Sequence, residues 1–343
     1  MITSLRPAGH LPGSASSSST ATVRRGVHSL RSKSSRFHVG YKALVAQIDR
    51  VFADPEVAEQ SSRIRKLIVS NNGSVLDQET FSSTALMYLM AKTNLNLPDL
   101  AILTIETRPE YVDIAELEFL ARALEEGDTF TELELAVGFE ALGERIRNDM
   151  FNKGLRLETF EGLVRKIAPY RYRLKCYFMQ KPVPGMSDEE AVLDIAGAIA
   201  YLSDTAHKHG VRINMHLNPT FVAFGTPLEQ SFRNGEYTAP RLIDVARAAL
   251  HAETRNISVF IGLHDEGLAV EGCSFLREGE TELVPGTRAL QQDSGFQHPA
   301  RHLRRARLTW RRIPSNRDRG DLGEGRCTSS AGAVCRVPTR MAT

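Results

Sequence analysis

Cysteine is scarce in this chain. Four occur in 343 residues, Cys176, Cys273, Cys327 and Cys335, and no two stand at a C-x2-C spacing. That excludes a zinc ribbon and argues against a disulfide framework. Cys176 sits in an apolar stretch and Cys273 near the end of the patterned region; both read as small buried hydrophobes. Long apolar runs are also missing. None approaches the ~20 residues a membrane-spanning helix needs, so no membrane partner is expected. There is no G-x-G-x-x-G after the first strand and no Walker A loop, which excludes the common dinucleotide and P-loop sites.

Acidic residues are absent from the first 48 positions, the first being Asp49. Residues 1–40 instead carry ten Ser and six basic residues. That composition fits an organelle transit peptide, a disordered arm or a misread gene start, and it lacks the apolar segment of a secretory signal. Without a transit peptide, the expected compartment is the cytoplasm. The far end mirrors this bias: residues 288–343 contain twelve Arg, no Lys and four acids. Its RHLRRARLTWRR segment has the make-up of either a disordered tail or a basic RNA-binding arm with Trp310 for stacking. The whole chain has a net charge of +2, yet the two flanks leave residues 41–287 with 25 basic and 37 acidic residues. The basic whole-chain balance is therefore no argument for nucleic-acid binding by the core. Three segments follow: an arm over 1–40, a core over 41–287 and an Arg-rich tail over 288–343.

Within the core, apolar and β-branched runs alternate with helical patterns. Leu44, Ile48, Val51 and Phe52 fall on one helix face. KLIVS at 66–70 reads as a strand closed by Asn71-Asn72-Gly73-Ser74. That turn can aim backbone N–H groups at an anion, or it is a plain turn before the next helix. LAILTI at 100–105 is a second strand, stopped by Glu106-Thr107-Arg108-Pro109, because Pro109 cannot donate to a ladder and biases Arg108 away from helix. Ile114–Glu125 follows as a helix with Leu117, Leu120, Ala121 and Leu124 in register.

Further strands are expected at 133–139, ending in Glu140, and at 172–179, 211–217 and 257–263. The helices between them include one burying Leu142, Ile146 and Met150. Ser187 and Glu190 form a capping box. Six strands separated by helices describe an α/β fold with a parallel sheet, and their spacing suits a partial or full (βα) barrel. Such folds place their chemistry at the C-terminal strand ends, where Glu106, Arg108 and Glu140 stand.

ETRPEYV at 106–112 resembles the strand-end motif of radical S-adenosylmethionine (SAM) enzymes of the Elongator catalytic-subunit type. SNNGSVLD at 70–77, LELAVGFEA at 133–141, NKG at 152–154, KPVPGMSDEEAVLD at 181–194 and NPTFVAFGTPLEQSFRNGEY at 218–237 resemble the same superfamily in the same order. The set is most similar to the branch containing the radical SAM subunit of archaeosine synthase, and covers about Tyr41 to Pro285.

The resemblance implies a partial (βα)6 TIM-like barrel of radical SAM type, here lacking its first βα unit, with SAM across the strand ends. Asn72, Gly73 and Ser74 would face the methionine amino and carboxylate groups. Glu106 and Arg108 would lie near the ribose and methionine, and Glu140 near the ribose or substrate. The implied chemistry is reductive cleavage of SAM by a [4Fe–4S] cluster, and tRNA or another RNA is the implied substrate.

The cluster loop of that family, C-x3-C-x2-C, should precede Tyr41, and residues 1–40 contain no cysteine. As written, the chain is expected to bind no [4Fe–4S] cluster and to be inactive in SAM cleavage, and no residue is assigned to catalysis. Three accounts stay open. One is a truncated reading of an active enzyme. Another is a cluster-free paralogue serving as a SAM- or RNA-binding partner. The third is a different barrel enzyme using Glu106 and Glu140 as acid and base. Loss of the first unit should also leave the strand at 66–70 as an exposed sheet edge.

Overall fold

The computed structural model of the chain describes residues 2–7, 40–71, 74–127, 130–263 and 268–275. Its sheet has its strands side by side in chain order, β1 to β7: Ile2–Pro7, Ile64–Val69, Ile102–Glu106, Glu132–Glu140, Arg173–Gln180, Ile213–Pro219 and Ser258–Ile261. β2 to β7 are all parallel and curl into a half-barrel. The six parallel strands fall within about two residues of the sequence expectation. The first difference is β1, which runs antiparallel along β2, pairing Leu5 with Leu67 and Arg6 with Lys66. The β2 edge expected to be exposed is therefore covered, by a segment too short and too polar to stand out as a strand.

Helices α1 (Tyr41–Phe52), α2 (Pro55–Gln60), α3 (Ser83–Asn96), α4 (Ile114–Glu125), α5 (Leu157–Ile167), α6 (Asp188–His209), α7 (Pro227–Arg233) and α8 (Leu242–Leu250) fill the connections. α4 starts at an Asp113 side chain that accepts from the Glu116 N–H, and α6 at the full Ser187–Glu190 capping box. Gly210 ends α6 in the left-handed region, at φ 65°. That conformation is cheap for glycine alone.

Strand alternation sorts the side chains into two sets. Leu103, Ile105, Leu133, Leu135, Val137, Phe139, Leu174, Cys176, Phe178, Met215 and Leu217 face outward and form the apolar core beneath the helices. The inward set is polar. Register places Thr104 beside Glu134 and Glu134 beside Arg173. Glu134 is fully buried and holds this layer together. Its carboxylate accepts from Thr104 Oγ1 at 2.8 Å and Asn214 Nδ2 at 2.9 Å, and pairs with Lys66 Nζ. Arg173 Nε lies 3.6 Å away. Five adjacent strands, β2 to β6, thus meet on one carboxylate. Burial pushes that carboxyl up, but the Lys66 and Lys175 ammonium groups outweigh it and hold it below its ordinary value.

One expected helix takes another form. Instead of an α-helix burying Leu142, Ile146 and Met150, Arg145–Met150 is a π-helix whose buried residue is Arg147. The cause is a guanidinium that captures three backbone carbonyls, described below.

Removing the Glu134 charge takes the carboxylate from the half-buried Lys66 ammonium and the acceptor from Thr104 and Asn214, which costs about 3–5 kcal/mol. Glu134→Leu should lower the urea midpoint accordingly. The wild-type contribution is present above the unfolded carboxylate value of 4.5 and is lost as pH falls through the depressed native one. The stability difference between the two proteins should therefore shrink on acidification, as urea titrations at two pH values would read.

Candidate functional site

The inward residues rise in layers toward the C-terminal strand ends. Above the Glu134 layer, Glu106 pairs in register with Ala136, and Ala136 with Lys175. The small Ala136 leaves the Glu106 carboxyl and the Lys175 ammonium on either side of one methyl group. The next layer is Gly138, Tyr177, His216 and Phe260. Lys175 Nζ lies 4.8 Å from the Tyr177 ring centre, and the His216 ring meets Tyr177 at 5.1 Å and Phe260 at 4.6 Å.

At the top, the ladder slips between Gly138 and Glu140, and Glu140 adopts φ 67°. A left-handed non-glycine residue at a strand end is strained and needs support from its surroundings. Support comes from Lys153, whose Nζ lies 2.6 Å from Glu140 Oε1. Gly138 makes room for this pair. A Cβ there would stand 2.9 Å from the Glu140 carboxylate oxygen and 3.1 Å from Lys153 Nζ. Lys153 follows Asn152, itself at φ 49°.

Glu106 completes the group. Burial pushes its carboxyl up to about 7, the Glu140 charge adds to this, and Lys153, Lys175 and a hydrogen bond to Ser70 pull the other way. The site therefore carries two neighbouring carboxylates and two ammonium groups. One carboxylate is fixed in an ion pair; the other is poised to exchange a proton near neutrality. Such a group can accept hydrogen bonds from hydroxyls or an ammonium, and can donate to a carboxylate.

The sequence-predicted residues divide as follows. Glu106 and Glu140 come together. Arg108 turns aside, donating from NH2 to the Lys153 carbonyl at 2.9 Å and from Nε to Glu110 at 2.5 Å. Ser74 is buried, its hydroxyl 2.6 Å from Thr107 Oγ1 and accepting from the Leu76 N–H at 3.2 Å. It ties the turn after β2 to the turn after β3, as does the Val75 N–H bond to the Glu106 carbonyl. Asn72 and Gly73 lie outside the described residues. Lys153, Lys175 and Gly138 were not singled out from sequence. Lys153 lay in the NKG stretch at 152–154 but was given no role; for Gly138 and Lys175 the signal was the alternation of residues in 132–140 and 173–180, hidden because both sets are buried.

Among the described residues no group of three His, Cys, Asp or Glu side chains is arranged to hold a metal ion, and no helix is long and apolar enough to cross a membrane.

No family model matches the chain. Two curated relatives do. It is 28% identical over 184 residues to archaeosine synthase subunit beta of Methanosarcina acetivorans, covering 53% of this chain and 50% of the relative. It is 25% identical over 203 residues to an uncharacterized protein of Methanocaldococcus jannaschii, covering 59% and 52%. The chain thus spans about half the length of the curated relatives it matches. Among solved structures, Elp3 of Methanocaldococcus infernus aligns with a TM-score of 0.42 and 16% identity, over 65% of this chain and 52% of that one. Streptococcus suis SuiB aligns at 0.41 and 12%, over 66% and 44%. A spore photoproduct lyase mutant aligns at 0.37 and 11%, over 62% and 66%.

The raised Glu106 value gives a signed prediction. Native protein with protonated Glu106 is favoured below the unfolded value of 4.5, and that advantage is lost as pH rises through about 7. Glu106→Gln should therefore raise the melting temperature at about pH 8.5 and change it little at about pH 4.5. Differential scanning calorimetry at the two pH values reads this; equal shifts at both would mean that Glu106 titrates normally.

Proposed function

We propose that this chain is a SAM-binding barrel of the radical SAM type, built for work on an RNA base. The observation that carries the reading is the group formed by Glu106 and Glu140 at adjacent parallel strand ends, Lys175 within the next strand and Lys153 in the loop after Arg145–Met150. SAM offers that group a ribose diol, an α-ammonium and an α-carboxylate. The diol and ammonium suit the carboxylates Glu106 and Glu140, and the α-carboxylate suits an ammonium group. The missing Cβ at Gly138 makes room for the Glu140–Lys153 pair. Arg108 and Ser74 would act at one remove, by fixing the loops around Lys153 and after β2. Support for RNA as substrate comes from the likeness to a relative named archaeosine synthase subunit beta.

The iron–sulfur cluster of the superfamily does not fit the residues described. Cys176 and Cys273 belong to two separate apolar clusters. Both thiols are buried, and burial drives the Cys176 thiol far above its usual value, away from the thiolate form that binds iron. No reductive step is therefore derived for these residues. SAM binding is the part of the reading shared by an active enzyme and a cluster-free partner protein.

Equilibrium dialysis with radiolabelled SAM tests it. The wild-type chain should retain SAM, and Glu140→Gln should weaken retention by about tenfold, the loss of one charge-assisted hydrogen bond. No retention by wild type at about 100 μM SAM, far weaker than a micromolar site, would sink the proposal.

A further inference from the structure

Arg147 is among the largest fully buried side chains, at 1% exposure, and among the described residues its hydrogen bonds go to backbone carbonyls. Its Nε donates to the Leu155 carbonyl at 2.7 Å, and NH1 donates to the carbonyls of Ala141, at 3.2 Å, and Leu142. The guanidinium lies 5.9 Å from the Phe139 ring centre. Both ends of the segment between Glu140 and Leu155 are thereby drawn onto one cation.

The backbone closes the same loop. The Lys153 N–H donates to the Arg147 carbonyl at 3.1 Å. Asn148 exchanges two hydrogen bonds with the Leu155 backbone, at 3.1 and 3.0 Å. From α6, the Asp194 carboxylate accepts from the N–H groups of Gly143 at 3.1 Å and Leu142 at 3.3 Å. These bonds converge on the residues immediately after Glu140 and on Lys153 itself. A buried guanidinium whose hydrogen bonds go to carbonyl dipoles is expensive unless its geometry is fixed. Here it is fixed, and the segment it fixes carries the ammonium partner of Glu140.

We propose that Arg147, braced by Asp194, is a positioning residue that holds the Lys153 ammonium against Glu140 and so sets the charge state of the neighbouring Glu106. Glu106 is faced by Glu140, Lys153, Lys175 and Ser70. Of these, Lys153 is the group the Arg147 latch controls. Withdrawing its charge removes the strongest influence holding the Glu106 carboxyl down. The consequence for ligand affinity rests on the SAM reading above; the consequence for the carboxylates does not.

The test uses the full chain carrying 13C at its Glu carboxyl carbons, with the Glu106 signal assigned through Glu106→Gln. Because the Glu140 charge lies beside Glu106, the Glu106 midpoint is compared between variants and not taken as a site constant. Lys153→Met should move the midpoint upward by about one pH unit. Arg147→Lys keeps the charge but loses the forked donors. It should move the midpoint in the same direction by about half as much or more, with far-UV dichroism still that of a folded protein. Asp194→Asn releases the latch from its other side and should shift it the same way by less; it decides the matter if Arg147→Lys does not fold.

A merely structural role for Arg147 would lower the melting temperature and leave the titration unmoved. A folded Arg147→Lys or Asp194→Asn with the wild-type midpoint overturns the proposal, and so does a Lys153→Met that does not shift it. SAM dialysis on the same samples separates the two ideas. If wild type binds no SAM, the ligand reading fails and the titration still decides the role of Arg147.

Discussion

A single carboxylate, Glu134, sets how the half-barrel can be built. It is fully buried inside the curl of the sheet, where an unpaired charge is intolerable, and so its neighbours on β2, β3, β5 and β6 are a lysine, a threonine, an arginine and an asparagine. The inside of the sheet is therefore built around a polar network, and the main apolar core lies on the helix side. One consequence reaches the strand ends. With the lower layer filled by long polar chains, the small residues Ala136 and Gly138 above it give the space in which Glu106, Lys175 and Lys153 converge.

The functional end depends on a second constraint, strain that is held locally. Glu140, Asn152 and Lys181 have positive φ, and the first two bracket the segment that Arg147 pins. Lys181, after β5, is held in turn: its Nζ donates to Asp188 at 2.7 Å and Thr238 at 2.9 Å, and its carbonyl accepts from Tyr237. Backbone strain at consecutive strand ends is thus held in each case by local polar contacts.

Much of the architecture could be read from the chain. The six parallel strands are short apolar runs with turn residues after them, and the helices carry their caps openly, as at Ser187-Asp188-Glu189-Glu190. Glu106 and Glu140 could be singled out as candidates because each ends such a run. What escaped has a common cause. Strands buried on both faces give a continuous buried pattern, so nothing local distinguished Lys175, which faces the interior, from Cys176, which faces the helices. The Arg145–Met150 helix was misread for a related reason: apolar spacing favoured burying Ile146, whereas three carbonyls from outside the helix bury Arg147.

By itself, then, the sequence determined the elements, their order and the parallel sheet, because periodicity, caps and proline act within a few residues. It also carried the motif order that resembles radical SAM proteins. Tertiary structure alone decided that Glu106 and Glu140 share a site with Lys153 and Lys175, that Ser74 and Arg108 brace loops, and that β1 covers the β2 edge. Those outcomes depend on register between strands far apart in the chain and on which buried charges find partners. Neither is encoded in any local pattern.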